Sequence, residues 1–358
     1  MSERQVSVII DTYNYGEFIE EAIESVLTQD FPADQMEILV IDDGSTDDTA
    51  ERVKKYGSYL KYFWKPNGGQ ASAFNFGFAR VRGEIISLLD GDDYWFRDKL
   101  RSVVEEFEKH PEAGVVYHPL REYHTQTGEF KEARFTPISG FIPSNIKHVL
   151  LYDGLMTTTS YRRRVLQPLL PIPEALRTQA DGYIGNLAMF LAPVVAIERP
   201  LGIYRVHGKN LYYKTAADAE PKRLLRRIEM CREIVKGLTS WFVLHGYDID
   251  RPEIRAALLR WVILSERDEF ELSPPSRVKF FRHLLKSYRH TSPLMTPRIR
   301  TVNYINAVGA LIVGYERFHI LDETRQRASR WVRRALDLLQ KKARLSRKKP
   351  VSGHEFDN

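Results

Sequence analysis

Cysteine is almost missing from this chain. Its 358 residues contain one, Cys231, so no disulfide can form within the chain, and a reducing compartment is the expected setting. Long apolar runs are missing too. None approaches the roughly 18 residues that a membrane-spanning helix needs. The start MSERQVSVII carries a short, strand-like apolar run and no small-residue cleavage site, so a cytoplasmic location is expected. Two phosphate-binding fingerprints are absent. No G-x-G-x-x-G follows a strand, which sets aside a dinucleotide-binding enzyme, and no G-x-x-x-x-G-K-S/T marks a P-loop. No aromatic-rich basic groove or known motif points to nucleic acid, and none is expected as a partner. Internal repeats are lacking as well.

What is present is an ordinary globular composition, 43% apolar and 28% charged, with a net charge of +6. The length suits one large domain, or a domain with an appendage. The first hundred residues alternate between two periods. Val6–Ile10 and Glu37–Ile41 read as buried strands, and Leu60–Trp64 and Glu84–Leu89 as a third and a fourth strand. Between them, helices are predicted from the spacing of Phe18, Ala22, Ile23, Val26 and Leu27, over 47–56, and over 71–79. This alternation predicts a mostly parallel sheet covered by helices on both faces. Further on, a strand is expected over 112–117, a hairpin over 121–134, a helix over 185–191 and a strand over 194–199. Beyond about residue 216 the chain reads as helices. The expected organisation is therefore an α/β unit over 1–215 and a helical C-terminal region over 216–358.

Three strand ends carry acidic or polar groups: Asp11-Thr12-Tyr13-Asn14, Asp42-Asp43 and Asp90-Gly91-Asp92-Asp93. Right-handed crossovers place all three on one edge of a parallel sheet, where such sheets bind ligands. Crowded carboxylates raise one another's pKa unless a cation neutralises them. Mg²⁺ or Mn²⁺ takes one or two carboxylates and completes its shell with phosphate oxygens. Asp90 and Asp92 have the separation to hold such an ion, and a diphosphate would complete it. That chemistry favours a nucleoside-diphosphate leaving group. A solvated turn with Asp93 capping a following helix is the structural alternative.

The stretches VSVIIDTYN, ILVIDDGSTDDT, NGGQASAFNFGFARVRGEIISLLDGDDYW and YRVHGKN together resemble family 2 glycosyltransferases with the GT-A fold. The match runs through roughly residues 5–210 in order and spacing. The resemblance implies a Rossmann-like fold, an inverting sugar transfer and a nucleotide-sugar donor, most often a UDP-sugar. It places Asp11, Thr12 and Tyr13 at the nucleotide base, with Tyr13 able to stack on a pyrimidine. It places Asp43 at the base or ribose. Asp42 either joins it or holds its own loop as an Asx-turn residue. Asn67, Gly68, Gly69 and Gln70 fall at a helix start whose N–H groups face phosphate or sugar. Asp90 and Asp92 match the D-x-D element, Gly91 leaves room for the ligand, and Asp93 is a candidate third metal contact. Asp181 falls where the family places its catalytic base, or else it caps a helix. His207 is a candidate for the metal or diphosphate, and Arg205 for diphosphate charge. Thr157–Arg164 resembles the acceptor-side segment.

Charge concentrates at the C-terminal end. Thr324–Lys349 holds eleven Lys or Arg against Asp337, with Ala328, Trp331, Val332, Ala335, Leu336 and Leu339 at helical spacing. A basic amphipathic helix of this kind suits an anionic membrane surface. Peripheral attachment at the inner face of the cell membrane, beside a saccharide or lipid-linked acceptor, is the expectation. The competing readings are a nucleotide-sugar-binding or scaffold protein that has lost turnover, and a nucleotidyltransferase. The latter needs a glycine-rich basic loop after the first strand, and DTYNYGEF supplies none.

Overall fold

The computed structural model of the chain describes residues 5–132, 135–152, 156–208, 210, 221–297 and 299–318, apart from 313, 316 and 317. The elements run β1 (Val6–Thr12), α1 (Gly16–Leu27), β2 (Met36–Asp42), α2 (Thr49–Lys54), β3 (Lys61–Trp64), α3 (Gln70–Phe78) and β4 (Ile85–Asp90). They continue with β5 (Tyr94–Trp95), α4 (Lys99–Lys109), β6 (Val115–Tyr117), β7 (Arg121–His124), β8 (Glu129–Glu132), α5 (Ile146–Leu151), β9 (Thr159–Arg162) and α6 (Arg163–Leu166). Then come α7 (Ala180–Leu191), β10 (Val194–Ala196), β11 (Gly202–Val206), α8 (Pro221–Leu244), α9 (Pro252–Leu272) and α10 (Arg277–Thr291).

Seven strands form the main sheet in the order β10-β6-β9-β4-β1-β2-β3. Every pairing is parallel except those of β9, which lies antiparallel between β4 and β6. The expected mostly parallel sheet, flanked by helices and followed by a helical C-terminal region, is what the chain forms. Successive strand side chains point to opposite faces. Val8, Ile10, Ile38 and Val40 enter one core with α1 and α4, while Ile9, Leu39 and Ile41 enter the other with α3 and α7. Both faces are covered, so these strands read as unbroken apolar runs.

A strand at β9 is not predicted from the sequence. Its four residues, Thr-Ser-Tyr-Arg, carry no apolar alternation, yet Thr159, Ser160 and Tyr161 are buried. The buried Ser160 hydroxyl is satisfied within the sheet, by Ser87 Oγ at 2.8 Å and Lys99 Nζ at 3.0 Å. The expected hairpin appears as β7 and β8. They join β11 and β5 in a second, four-stranded sheet of order β5-β11-β7-β8. Tyr94 pairs with Ile203 there, which brings the Tyr204–His207 segment beside the Asp90–Asp93 turn.

Two compact units divide the chain: Met1–Leu272 with His290–Leu294, and Ser273–Arg289 with Met295–Asn358. The parting does not fall at 215/216. Helices α8 and α9 belong to the first unit because Cys231, Ile234, Leu238, Phe242, Ile254 and Trp261 complete the core above α7. No described helix is long and apolar enough to cross a membrane.

Candidate active site

Register brings the acidic strand ends together. Asp11 lies opposite Asp90 between β1 and β4, and Thr12 lies opposite Asp42 between β1 and β2. The strands are parallel, so these ends share one edge. A cleft of about 620 Å³ opens there, with Asp11, Asp43, Asp90, Asp92 and Asp181 in its lining. Burial, with Asp43 beside it, pushes the Asp11 carboxyl well above the usual carboxylate range. Burial also pushes Asp90 up, reinforced by Asp92, Asp93, Asp181 and Asp11. Among the described residues no three His, Cys, Asp or Glu side chains form a ready-made metal site. Asp90 and Asp92, both in the cleft lining, could hold a hard cation only with further oxygens from a bound diphosphate and water.

The turn after β4 is held from three directions. Asp93 does not cap a helix. Tyr94 and Trp95 pair as a strand, α4 begins at Lys99, and Asp93 is fully buried. Its Oδ1 accepts the Arg205 backbone N–H at 2.9 Å, and its Oδ2 lies 2.8 Å from Thr157 Oγ1. The same Thr157 hydroxyl lies 2.9 Å from Asp90 Oδ2. One hydroxyl proton cannot serve two carboxylates at once, so Thr157 clamps the pair without neutralising it. Asp92 is held by His207, whose Nε2 is 2.9 Å from Asp92 Oδ2. The imidazole packs against Phe18 and edge-on to Tyr15. Burial and then Asp92, Asp90 and Asp93 push the Tyr15 phenol above its ordinary range.

Three expectations change at this turn and its neighbours, and Asp42 takes the second of its two readings. Arg205 does not face the cleft: its guanidinium pairs with Glu21 and lies over the Phe18 and Tyr94 rings, at 4.7 and 5.2 Å. Gly91 is set by a close approach of protein rather than of ligand, since a Cβ there would lie 2.8 Å from Thr12 Oγ1. Asp42 holds its own loop, accepting Ser45 N–H at 2.7 Å and the Tyr62 hydroxyl at 2.7 Å. The N–H groups at the start of α3 are engaged within the protein. Gly68 and Gly69 donate to the Asp43 carboxylate at 3.0 and 2.7 Å, and Gln70 N–H donates to Arg177 C=O at 2.8 Å. Lys65 Nζ adds a third contact to Asp43 at 2.6 Å. A carboxylate offers about four acceptor positions, which leaves Asp43 one for a ligand.

Those engaged donors build the opposite wall. The segment preceding α7 is stitched to α3. Gln70 Oε1 accepts Ala180 N–H at 2.8 Å, Ala71 N–H donates to Leu176 C=O at 3.2 Å, and Arg177 donates from Nη2 to Asn67 Oδ1. Asn75 exchanges two further bonds with Ile172, both 2.8 Å. Gly69 is required here: its φ is +86°, and a Cβ would fall 2.5 Å from Arg177 Cα. Gln179 takes the left-handed conformation, φ 61°, just before the helix. Such a conformation in a non-glycine residue costs about 1–3 kcal/mol. Asp181 is therefore not the cap. It sits inside the first turn of α7, at the positive end of the helix dipole, and lines the cleft.

Tyr13 is half exposed on the cleft wall, with its ring available for stacking, while Thr12 is buried. Cleft residues that the sequence pattern does not single out include Tyr15, Arg177, Thr178, Gln179 and, from α8, Arg226. Arg177 opens the stretch RTQAD that leads to Asp181, but nothing there distinguishes it from a surface arginine. Arg226 lies beyond the last recognised motif.

The sequence profile described as Glycosyl transferase family 2 matches residues 7–170. An uncharacterized glycosyltransferase of Nostoc sp. is 33% identical over 225 residues, covering 60% of this chain and 68% of that protein. The chain belongs to glycosyltransferase family 2. An uncharacterized protein of Mycobacterium tuberculosis is 26% identical over 221 residues; those residues cover 60% of this chain and 62% of that protein. Among solved structures, Staphylococcus aureus TarS (1–349) with UDP-GlcNAc superposes with a TM-score of 0.58 at 20% identity, covering 86% of this chain and 91% of that one. The mannosyltransferase PcManGT of Pyrobaculum calidifontis, with GDP-Man and Mn²⁺, gives 0.50 at 18% identity, covering 88% and 82%. At these identities the likeness concerns the fold, and it agrees with the family in being GT-A-like.

Proposed function

We propose that this family 2 member moves a hexosyl unit, with inversion, from a nucleotide-diphosphate sugar to an acceptor hydroxyl. One observation carries the reading: Asp90 and Asp92 at the end of β4 share a cleft with Asp181 in the first turn of α7. One carboxylate set suits the leaving diphosphate with its ion, and the other carboxylate suits the attacking hydroxyl. The UDP-sugar assignment is supported by the exposed Tyr13 ring, which can cover a pyrimidine, and by the UDP-GlcNAc held in the TarS structure.

Asp90 and Asp92 would hold Mn²⁺ or Mg²⁺, and the ion supplies Lewis-acid stabilisation of charge growing on the departing diphosphate. Thr157 and His207 fix the two carboxylates for that task. Asp181 takes the proton of the acceptor hydroxyl. The hydroxyl oxygen bonds to the anomeric carbon on the face opposite the departing phosphate oxygen, which inverts that centre. Asp93 is placed to support Asp90 rather than to reach the cleft. A saccharide or lipid-linked acceptor in polysaccharide or glycolipid synthesis fits the basic segment Thr324–Lys349, which lies outside the described residues. That setting is peripheral, on the inner face of the cell membrane.

The test is donor turnover with a panel of UDP- and GDP-sugars, with Mn²⁺ and with chelator. The expected result is turnover of a UDP-sugar that chelator removes and Mn²⁺ restores. Donor binding without turnover across the panel and a range of saccharide acceptors would instead identify a binding protein. Turnover untouched by chelator would remove the ion from the account.

A further inference from the structure

The two compact units carry opposite charge. The second holds 19 Lys and Arg against 6 Asp and Glu, an excess of +13; the first holds the remaining 34 against 41, an excess of −7. From Ser273 to Tyr315 there are seven Lys or Arg and no Asp or Glu at all. Arg277, Lys279, Arg282 and Arg289 on α10 and Arg300 beyond it are exposed. Over 43 residues, a surface helix pair of mixed charge would be the ordinary pattern.

The same unit exposes an aliphatic helix face. Helical backbone covers 299–312, and Ala307 and Ala310 turn inward, fully buried. Ile305, Val308 and Ile312 turn outward at helical spacing, and Ile305 and Ile312 are 64% and 71% exposed. Val302, Tyr304 and Ile299 widen the stripe. Contiguous exposed aliphatic patches are uncommon on soluble proteins and mark an interaction surface.

We propose that this face docks on an anionic lipid surface, with the helix lying in the plane of the interface. Charge complementarity selects the bilayer as occupant. The aliphatic stripe belongs to a stretch, Ser273–Tyr315, whose charged residues are all basic, and an anionic leaflet attracts such a stretch over about one Debye length. Polarity selects the orientation: Arg300, Asn303 and Asn306 interrupt the apolar residues of this segment, and no described helix is long and apolar enough to cross a membrane. Tyr304 sits at the stripe's edge, where a tyrosine bridges apolar and wet layers. Apolar burial and electrostatic attraction then act together, as in other interfacial helices. This deepens the peripheral setting proposed above, and it does not depend on which donor or acceptor the cleft takes.

The test is co-sedimentation of the full chain with vesicles. Phosphatidylglycerol–phosphatidylcholine vesicles are compared with phosphatidylcholine alone, at low and at high salt. The expected result is binding to the anionic vesicles that is at least tenfold weaker with phosphatidylcholine alone and weakens with salt. Ile305→Glu with Ile312→Glu replaces exposed side chains, and should reduce anionic-vesicle binding at least tenfold while donor turnover stays within twofold. Arg282→Glu with Arg289→Glu should weaken binding and flatten its salt dependence. The proposal is overturned if the Ile305/Ile312 variant binds vesicles like the wild type. It is also overturned if that variant only converts a dimer to a monomer in gel filtration, or if the wild type ignores anionic lipid. In each case intact turnover leaves the enzymatic reading standing, and lost turnover in the wild type would strike that reading alone.

Discussion

The two walls of the cleft are built in different ways. One wall is the carboxyl ends of β1, β2 and β4, where Asp11, Asp43 and Asp90 arrive as direct continuations of buried strands. The other wall is assembled from the segment before α7 and from α8, and that segment is held by side-chain bonds that reach far along the chain. Gln70 and Ala180 are 110 residues apart, Asn67 and Arg177 are 110 apart, and Asn75 and Ile172 are 97 apart. The first wall positions charge through backbone register. The second positions a single carboxylate, Asp181, through a latch. Damage to the first should therefore appear in donor and metal binding, and damage to the second in turnover.

Gln70→Leu strains that contrast most. It leaves the Ala180 N–H at the start of α7 without its acceptor. A misplacement near 1 Å costs about 100-fold in rate, so kcat should fall about 100-fold while donor KM changes less than about threefold. Gln70→Glu keeps an acceptor oxygen and should retain most of the rate. Equal losses in both variants, or a loss confined to KM, would return Gln70 to donor binding. Next in size is Gly69→Ala. A positive φ and the Arg177 backbone both oppose the new Cβ, and unfolding in denaturant should show a loss of about 2 kcal/mol.

Thr157→Val tests the strand-end wall. It removes the hydroxyl between Asp90 and Asp93 and leaves buried acceptors with less support. Donor affinity in Mn²⁺ should fall about tenfold, roughly 1.4 kcal/mol, with kcat at saturation changed little. Titration calorimetry separates these. The smallest effect is expected from Arg226→Ala. This exposed guanidinium lines the cleft, and a screened contact is worth at most about 1 kcal/mol, so donor KM should rise about threefold with Tm unchanged. An identical change in Arg205→Ala would contradict the inward packing of Arg205 against Phe18 and Tyr94.

The strand-end wall was legible in the sequence because its signal is local. A β-branched run followed by Asp needs no knowledge of partners, and parallel topology then collects three such ends on one edge. The D-G-D-D run was legible by the same route, whereas Asp181 follows no strand and was expected only through the family resemblance. Asp93 was read two ways, and its burial against Thr157 and Arg205 depends on β5 pairing with β11, a contact no local pattern announces. The Asn67–Gln70 turn looked like a phosphate cradle because exposed N–H groups at a helix start are the default. Here Asp43 and Arg177 already occupy them, and only three-dimensional packing reveals that. Strand β9 escaped because its buried residues are polar. Arg205 was misplaced because a cation beside a histidine motif carries no mark of which way it turns.

The most direct test is one paired measurement: donor dissociation constant and turnover number, in Mn²⁺, for Asp181→Asn and Asp92→Asn. The account predicts opposite splits. Asp181→Asn should bind the donor within about threefold of wild type while turnover falls at least about 100-fold. Asp92→Asn should lose Mn²⁺-dependent binding by about tenfold or more. Unchanged turnover in Asp181→Asn, or intact Mn²⁺-dependent binding in Asp92→Asn, would contradict the division of labour between the two walls.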